Sequence, residues 1–159
     1  MALAAGQAAP EFDLPADGGG GVRLADSKGS PLVLYFYPKD DTSGCTKEAQ
    51  GFAAAYQDFS AAGAEVIGVS KDDVASHDKF KAKYGLSFPL GSDEDGKVVE
   101  AYGVWVEKSM YGRRYMGIDR STFLIGGDGR VHKAWRQVKV PGHVEEVLAA
   151  TRALAAQGA

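Results

Sequence analysis

The stretch PLVLYFYPKDDTSGCTKEAQGFAAAYQDFSAAGAEVIGVS, residues 31–70, decides the fold. Within it LVLYFY (32–37) is apolar and aromatic without polar alternation, as a strand buried on both faces requires. Pro38 ends that strand. Residues 43–62 then read as a helix, because Ala49, Phe52, Ala53, Tyr56 and Phe59 recur at spacings of three and four and share one face. Thr42 or Ser43 can cap its first turn and Gly63 can stop it. EVIGVS (65–70) is a second buried strand. A strand, a helix and a second apolar strand in this order form a parallel crossover unit.

Outward from this unit, residues 74–84 read as a helix with Phe80 and Tyr84 on one face, and a short helix is expected around 97–102. STFLI (121–125) and VHKAW (131–135), joined by Gly126-Gly127-Asp128-Gly129, read as a hairpin. The last element, 143–156, sets Val144, Val147, Leu148, Thr151, Leu154 and Ala155 on one helical stripe. On the other side, EFDLPA (11–16) and VRLAD (22–26) flank the glycines at 18–21, a flexible hairpin connection. This order predicts an α/β protein with a mixed central sheet flanked by helices: a thioredoxin-like fold with an N-terminal β-hairpin extension at about 8–27. The expected organisation is a single domain over 1–159, with no fixed-period repeat and no internal linker.

Composition narrows the function. The 18 Lys and Arg against 21 Asp and Glu give a net charge of −3. Without a basic run this argues against nucleic acid as a partner. Apolar runs of about eight residues fall far short of the roughly 20 that a membrane helix needs. The opening MALAAGQAAP lacks the basic segment of a signal peptide, so the expected location is cytoplasmic. The single cysteine, Cys45, suits a reducing compartment. His77, His132 and His143 are scattered without metal-ligand spacing, so no metal and no cofactor are expected. The glycines at 18–21 lack the Lys-Ser/Thr and the strand–loop–helix setting of a phosphate loop.

A lone cysteine is ordinarily a small buried hydrophobe. Cys45 instead falls in the first turn of a helix that follows a buried strand. Free amide N–H groups and the helix dipole favour negative charge there, hence thiolate over thiol. Gly44 leaves room for a substrate at those amides. Thr42, one turn back, can aim its hydroxyl at the sulfur or at a bound oxygen, and Pro38 can cover the sulfur.

Pro38-x-x-x-Thr42-x-x-Cys45 is similar to the active-site signature of peroxiredoxins. The longer YFYPKDDTSGCTKEA (35–49) resembles the bacterioferritin comigratory protein, or peroxiredoxin Q, subfamily. IGVSKDD (67–73), YGVWVEK (102–108) and YMGIDRSTFLI (115–125) continue the resemblance to the C-terminal helix. It implies a thiol-dependent peroxidase that acts on hydrogen peroxide and organic hydroperoxides through Cys45, with Thr42 holding the peroxide and Arg120 completing the pocket. Arg fits that role, being always charged with five fixed donors. Pro38, Gly44 and Glu48 join as pocket residues, Glu48 by orienting Arg120. Attack of the thiolate on a peroxide oxygen yields a cysteine sulfenic acid.

The chain departs from that subfamily at position 50, where many members carry a second cysteine and this one has Gln50. Ser43 replaces a proline common in the motif. Five helical residues rise about 7.5 Å and turn about 140° past a full turn. Disulfide partners need Cα atoms within about 7 Å, so a cysteine at 50 would force the helix to unwind each cycle. Without it, a one-cysteine cycle with a helix that stays folded is expected. The sulfenic acid is then reduced by an external thiol: thioredoxin, glutaredoxin or glutathione. The expected state is a monomer.

Plainer readings stand beside these. Thr42 is also an N-cap, Pro38 a strand terminator, and Arg120 a surface partner for Asp119. Glu48 could pair with a solvated lysine, and Lys39, Asp40 and Asp41 read as a solvated loop. Phe36, Trp105 and Tyr111 are core candidates or a rim for larger hydroperoxides. Dithiol exchange would need a second cysteine at the position of Glu48. The alternative function is a redox-sensing or holdase module that uses Cys45 oxidation to bind partner proteins.

Overall fold

The computed structural model describes residues 3–157. Its centre is a five-stranded mixed sheet in the order β5–β4–β3–β8–β9. These strands are β3 (Leu32–Phe36), β4 (Glu65–Ser70), β5 (Leu90–Ser92), β8 (Ser121–Ile125) and β9 (Val131–Trp135). β3 runs parallel to β4, with Leu34 opposite Ile67, and antiparallel to β8, with Leu34 opposite Phe123. Every residue of β3 is buried, as its unbroken apolar run requires.

Alternation along β3 sorts the two cores. Leu32, Leu34 and Phe36 face a layer formed by the N-terminal hairpin, by the short helix α4 (Lys97–Ala101), and by Tyr102, Val104 and Ile118. Val33, Tyr35 and Tyr37 face the opposite layer, made by α1 (Ser43–Ala54), α2 (Tyr56–Ala61), α3 (Val74–Tyr84) and α5 (His143–Ala156). Tyr35 stacks on Phe52 with ring centroids 4.7 Å apart, fixing α1 on the sheet.

The helix expected over 43–62 is broken at Ala55, which closes α1 and opens α2. The break brings the Phe59 ring to 5.8 Å from that of Phe52. A straight helix would place residues seven apart about 10 Å along its axis. The glycine run expected as flexible is a fixed turn. Between β1 (Asp13–Pro15) and β2 (Gly21–Arg23), Gly18 and Gly19 take φ of 70° and 78°. Asp17 ties this turn down by accepting from Leu90 N–H at 2.8 Å and Lys81 Nζ at 2.7 Å.

A hairpin of β6 (Trp105–Met110) and β7 (Arg113–Ile118) was not among the expected strands. It is largely exposed and carries Glu107, Lys108, Arg113 and Arg114, so it lacks the buried face that alternation reveals. Its signal is the turn: Tyr111 and Gly112 both take positive φ, 51° and 77°, as a type I′ hairpin turn requires. No helix among the described residues is long and apolar enough to cross a membrane.

Candidate active site

Cys45 is the third residue of α1 and is 1% exposed. The first intrahelical bond runs from Thr46 N–H to Thr42 C=O at 2.8 Å. The N–H groups of Ser43, Gly44 and Cys45 precede it, so the helix start presents donors and the positive end of its dipole beside the sulfur.

Arg120 reaches this point from the turn between β7 and β8. Its Nη2 donates to Cys45 Sγ at 3.3 Å, and its Nη1 donates to Glu48 Oε1 at 2.7 Å. The guanidinium thus bridges the sulfur and a carboxylate one turn further along α1. The surface pairing of Arg120 with Asp119 does not form: Asp119 Oδ1 accepts from Gln137 N–H instead. Burial works against the Arg120 charge, but Glu48 and Cys45 outweigh it and raise its pKa. Gly44 leaves this approach unhindered: a Cβ there would sit 3.1 Å from Arg120 Nη2, tighter than ordinary contact.

Glu48 is fully buried, which excludes the solvated lysine pair. Burial pushes its carboxyl up to about 7, and Arg120 only partly offsets this. Oε1 takes the Arg120 bond, while Oε2 has no hydrogen-bond partner among the described residues. A proton on Oε2 therefore leaves the contact to Arg120 in place. The folded state holds that proton more tightly than the unfolded chain, whose glutamate titrates near 4.5. Glu48 therefore weakens the fold as pH rises from about 4.5 to 7, by about 3 kcal/mol at most. His143 acts in the opposite sense. Burial lowers its pKa to about 4, so it weakens the fold as pH falls from 6.5 to about 4. We expect Glu48→Gln to become more stable relative to the parent as pH rises across 4.5–7, read from urea unfolding. A pH-independent difference would contradict a shifted Glu48.

Thr42 holds the N-cap position, but its side chain makes no cap. Its hydroxyl donates to Lys39 C=O at 2.9 Å, which leaves the Oγ1 lone pairs as acceptors. Pro38 is half-buried where β3 gives way to the loop. The structure thus joins Cys45, Gly44, Glu48 and Arg120 in direct contact and sets Thr42 and Pro38 on the loop leading into α1. Of the rim candidates, Phe36 is core, Trp105 packs under Lys71, and Tyr111 is 98% exposed at a hairpin tip.

Two residues had a larger part than their sequence suggested. Asp40, read as part of a solvated loop, is buried, and so is His77, 2.7 Å from it. Asp41 is exposed but paired with Lys83 at 2.8 Å. Among the described residues no group of three or more His, Cys, Asp or Glu is placed to hold a metal ion.

The sequence pattern of the AhpC/TSA family matches residues 5–134. The chain is 51% identical over 151 residues to peroxiredoxin Bcp of Xanthomonas campestris, covering 94% of each chain. It is 49% identical over 148 residues to peroxiredoxin Bcp of Bacillus subtilis, covering 93% of this chain and 94% of that one. Among solved structures, Xanthomonas campestris peroxiredoxin Q superposes with a TM-score of 0.87 at 50% identity over 91% of both chains. A mutant of Xylella fastidiosa PrxQ gives 0.91 at 44% identity, covering 96% and 98%. The Xanthomonas campestris bacterioferritin comigratory protein, described for its alkyl peroxide reduction activity, superposes at 0.87 with 49% identity, covering 91% of this chain and 92% of that one.

Proposed function

This chain belongs to the AhpC/TSA family, among its Bcp or peroxiredoxin Q members, and is a thiol-dependent peroxidase; from that premise we propose that Cys45 is the thiol that meets the peroxide. The observation that carries this assignment is the 3.3 Å contact from Arg120 Nη2 to a sulfur at a helix start. A fixed positive group and helix-start amides meet at this one sulfur, where charge moves when it attacks an oxygen.

The thiolate lone pair attacks the terminal oxygen of R–O–O–H in line with the O–O bond. An S–O bond forms, the O–O bond breaks, and the sulfur is oxidised to a sulfenic acid that keeps the proton of that oxygen. The other oxygen leaves as RO⁻ and takes a proton from solvent as water or alcohol. Arg120 and the helix-start amides face the place where charge moves from sulfur to the departing oxygen. Thr42 Oγ1, its own proton committed to Lys39, accepts from the peroxide O–H. Gly44→Ala should push the guanidinium away and slow this step about tenfold in stopped flow, with the fold retained. An unchanged rate would show that the Gly44–Arg120 approach does not matter.

Cys45 is the one cysteine of the sequence, so no internal disulfide can close the cycle. An external thiol R′SH, from thioredoxin, glutaredoxin or glutathione, attacks the sulfenic sulfur and releases water. A second thiol then displaces Cys45 and leaves R′SSR′. The same reading makes the chain a single domain that works as a cytoplasmic monomer, the oligomeric state being read from its mass in solution. The missing second cysteine also favours one other reading, a sensor or holdase that is oxidised once and binds partners. Sustained turnover with excess peroxide and thiol separates the two, because a sensor stops after one equivalent.

A further inference from the structure

The loop leading into α1 is fastened to α3 by two consecutive aspartates. Asp40 is 7% exposed and His77, on the first turns of α3, is 0% exposed. Asp40 Oδ1 accepts from Tyr37 Oη at 2.6 Å, and Oδ2 accepts from Ser76 Oγ at 2.8 Å. Oδ2 also lies 2.7 Å from His77 Nδ1, while His77 Nε2 lies 2.9 Å from Gly91 C=O on β5. With Asp40 ionised, it and the carbonyl only accept, so both ring nitrogens donate. His77 is therefore an imidazolium, paired with Asp40 inside the protein. Burial opposes that charge, yet the Asp40 bond and charge outweigh it and raise the His77 pKa. The Asp40 N–H adds a bond of 2.8 Å to Asp72 Oδ2, which also accepts from Ser70 Oγ at 2.7 Å.

Asp41 follows with a φ of 57°, a conformation that costs a residue other than glycine. It is met by Lys83 Nζ at 2.8 Å and Tyr84 Oη at 2.6 Å, both near the C-terminal end of α3. The next residue is Thr42. The backbone course that sets Thr42 and the first amides of α1 is thus fixed by side chains that do not touch the sulfur.

We propose that Asp40 and His77 are positioning residues of the peroxide step: their buried ion pair clamps loop 37–42 on α3 and so fixes Thr42 and the helix-start donors around Cys45. This rests on the assignment of Cys45 as the reacting thiol. The same clamp opposes reduction. With Cys45 1% exposed, an external thiol reaches the sulfenic sulfur only when the groups around it move, and a looser loop makes that movement easier. Loosening the clamp therefore slows oxidation without slowing reduction, a split that a merely structural role does not produce.

The test is Asp40→Asn, which keeps an acceptor for Tyr37 but removes the charge, read in two half-reactions. Oxidation of Cys45 by hydrogen peroxide should fall by at least about tenfold, because a small misplacement of catalytic groups is costly. Reduction of the sulfenic acid by dithiothreitol should be unchanged or faster. Combining Asp40→Asn with His77→Gln, which leaves no unpaired buried charge, should recover part of the oxidation rate. An unchanged oxidation rate in the folded variant overturns the proposal, as does an equal fall in both half-reactions. If Asp40→Asn does not fold, Ser76→Ala is read by the same two criteria, since it removes one bond to Asp40 and uncovers no charge. Slow oxidation of the parent itself would instead remove the Cys45 assignment, so the two failures are distinguishable.

Discussion

Cys45→Ser is expected to lose peroxide turnover completely while folding as the parent does. The sulfur is packed in the α-helical core layer, and serine is close to it in size. The serine hydroxyl can accept the Arg120 bond now made to sulfur, so no buried donor is left bare. Stability should stay within about 2 kcal/mol of the parent in urea unfolding. The loss is chemical. A serine hydroxyl stays protonated at neutral pH, and sulfur alone passes through a stable sulfenic acid. Peroxide consumption retained in a folded Cys45→Ser chain would refute the assignment.

The second large effect is at Arg120. Arg120→Ala removes the charge 3.3 Å from the sulfur and leaves Glu48 buried without its partner. In the proposed mechanism the reacting sulfur then loses its fixed counter-charge, and so does the leaving oxygen. Loss of one such preorganised donor costs roughly 100- to 1,000-fold, and we expect Cys45 oxidation to slow by that factor. Stability is a separate matter, because an uncompensated buried carboxylate destabilises by itself. Glu48 can relieve that cost by taking up a proton, so the variant should be more stable relative to the parent at pH 5 than at pH 8. A double variant that adds Glu48→Gln isolates the catalytic loss. If oxidation is as fast in that double variant as in the parent, Arg120 is a structural residue only.

Much of this site was legible because it is nearly contiguous. Thr42, Gly44, Cys45 and Glu48 fall within two turns of one helix start, and local rules are strong there. Arg120 lies 75 residues from Cys45, so its contact could not come from spacing, and the resemblance supplied it. The clamp was not legible for the same reason. Asp40 and His77 are 37 residues apart, and an aspartate in a charged loop looks solvated until α3 packs on it. The sheet was readable where strands are buried on both faces. The β6–β7 hairpin was not, since its strands turn charged side chains to solvent and carry only a two-residue turn signal.

On the assignment proposed above, the Cys45 environment is built to react with peroxide. The most direct test is the second-order rate of Cys45 oxidation by hydrogen peroxide, followed as loss of free thiol in stopped flow. A preorganised site with Arg120 and the helix-start amides at the sulfur should react at least about a thousandfold faster than free cysteine. A rate equal to that of free cysteine would contradict it and leave the oxidation-dependent binding reading in its place.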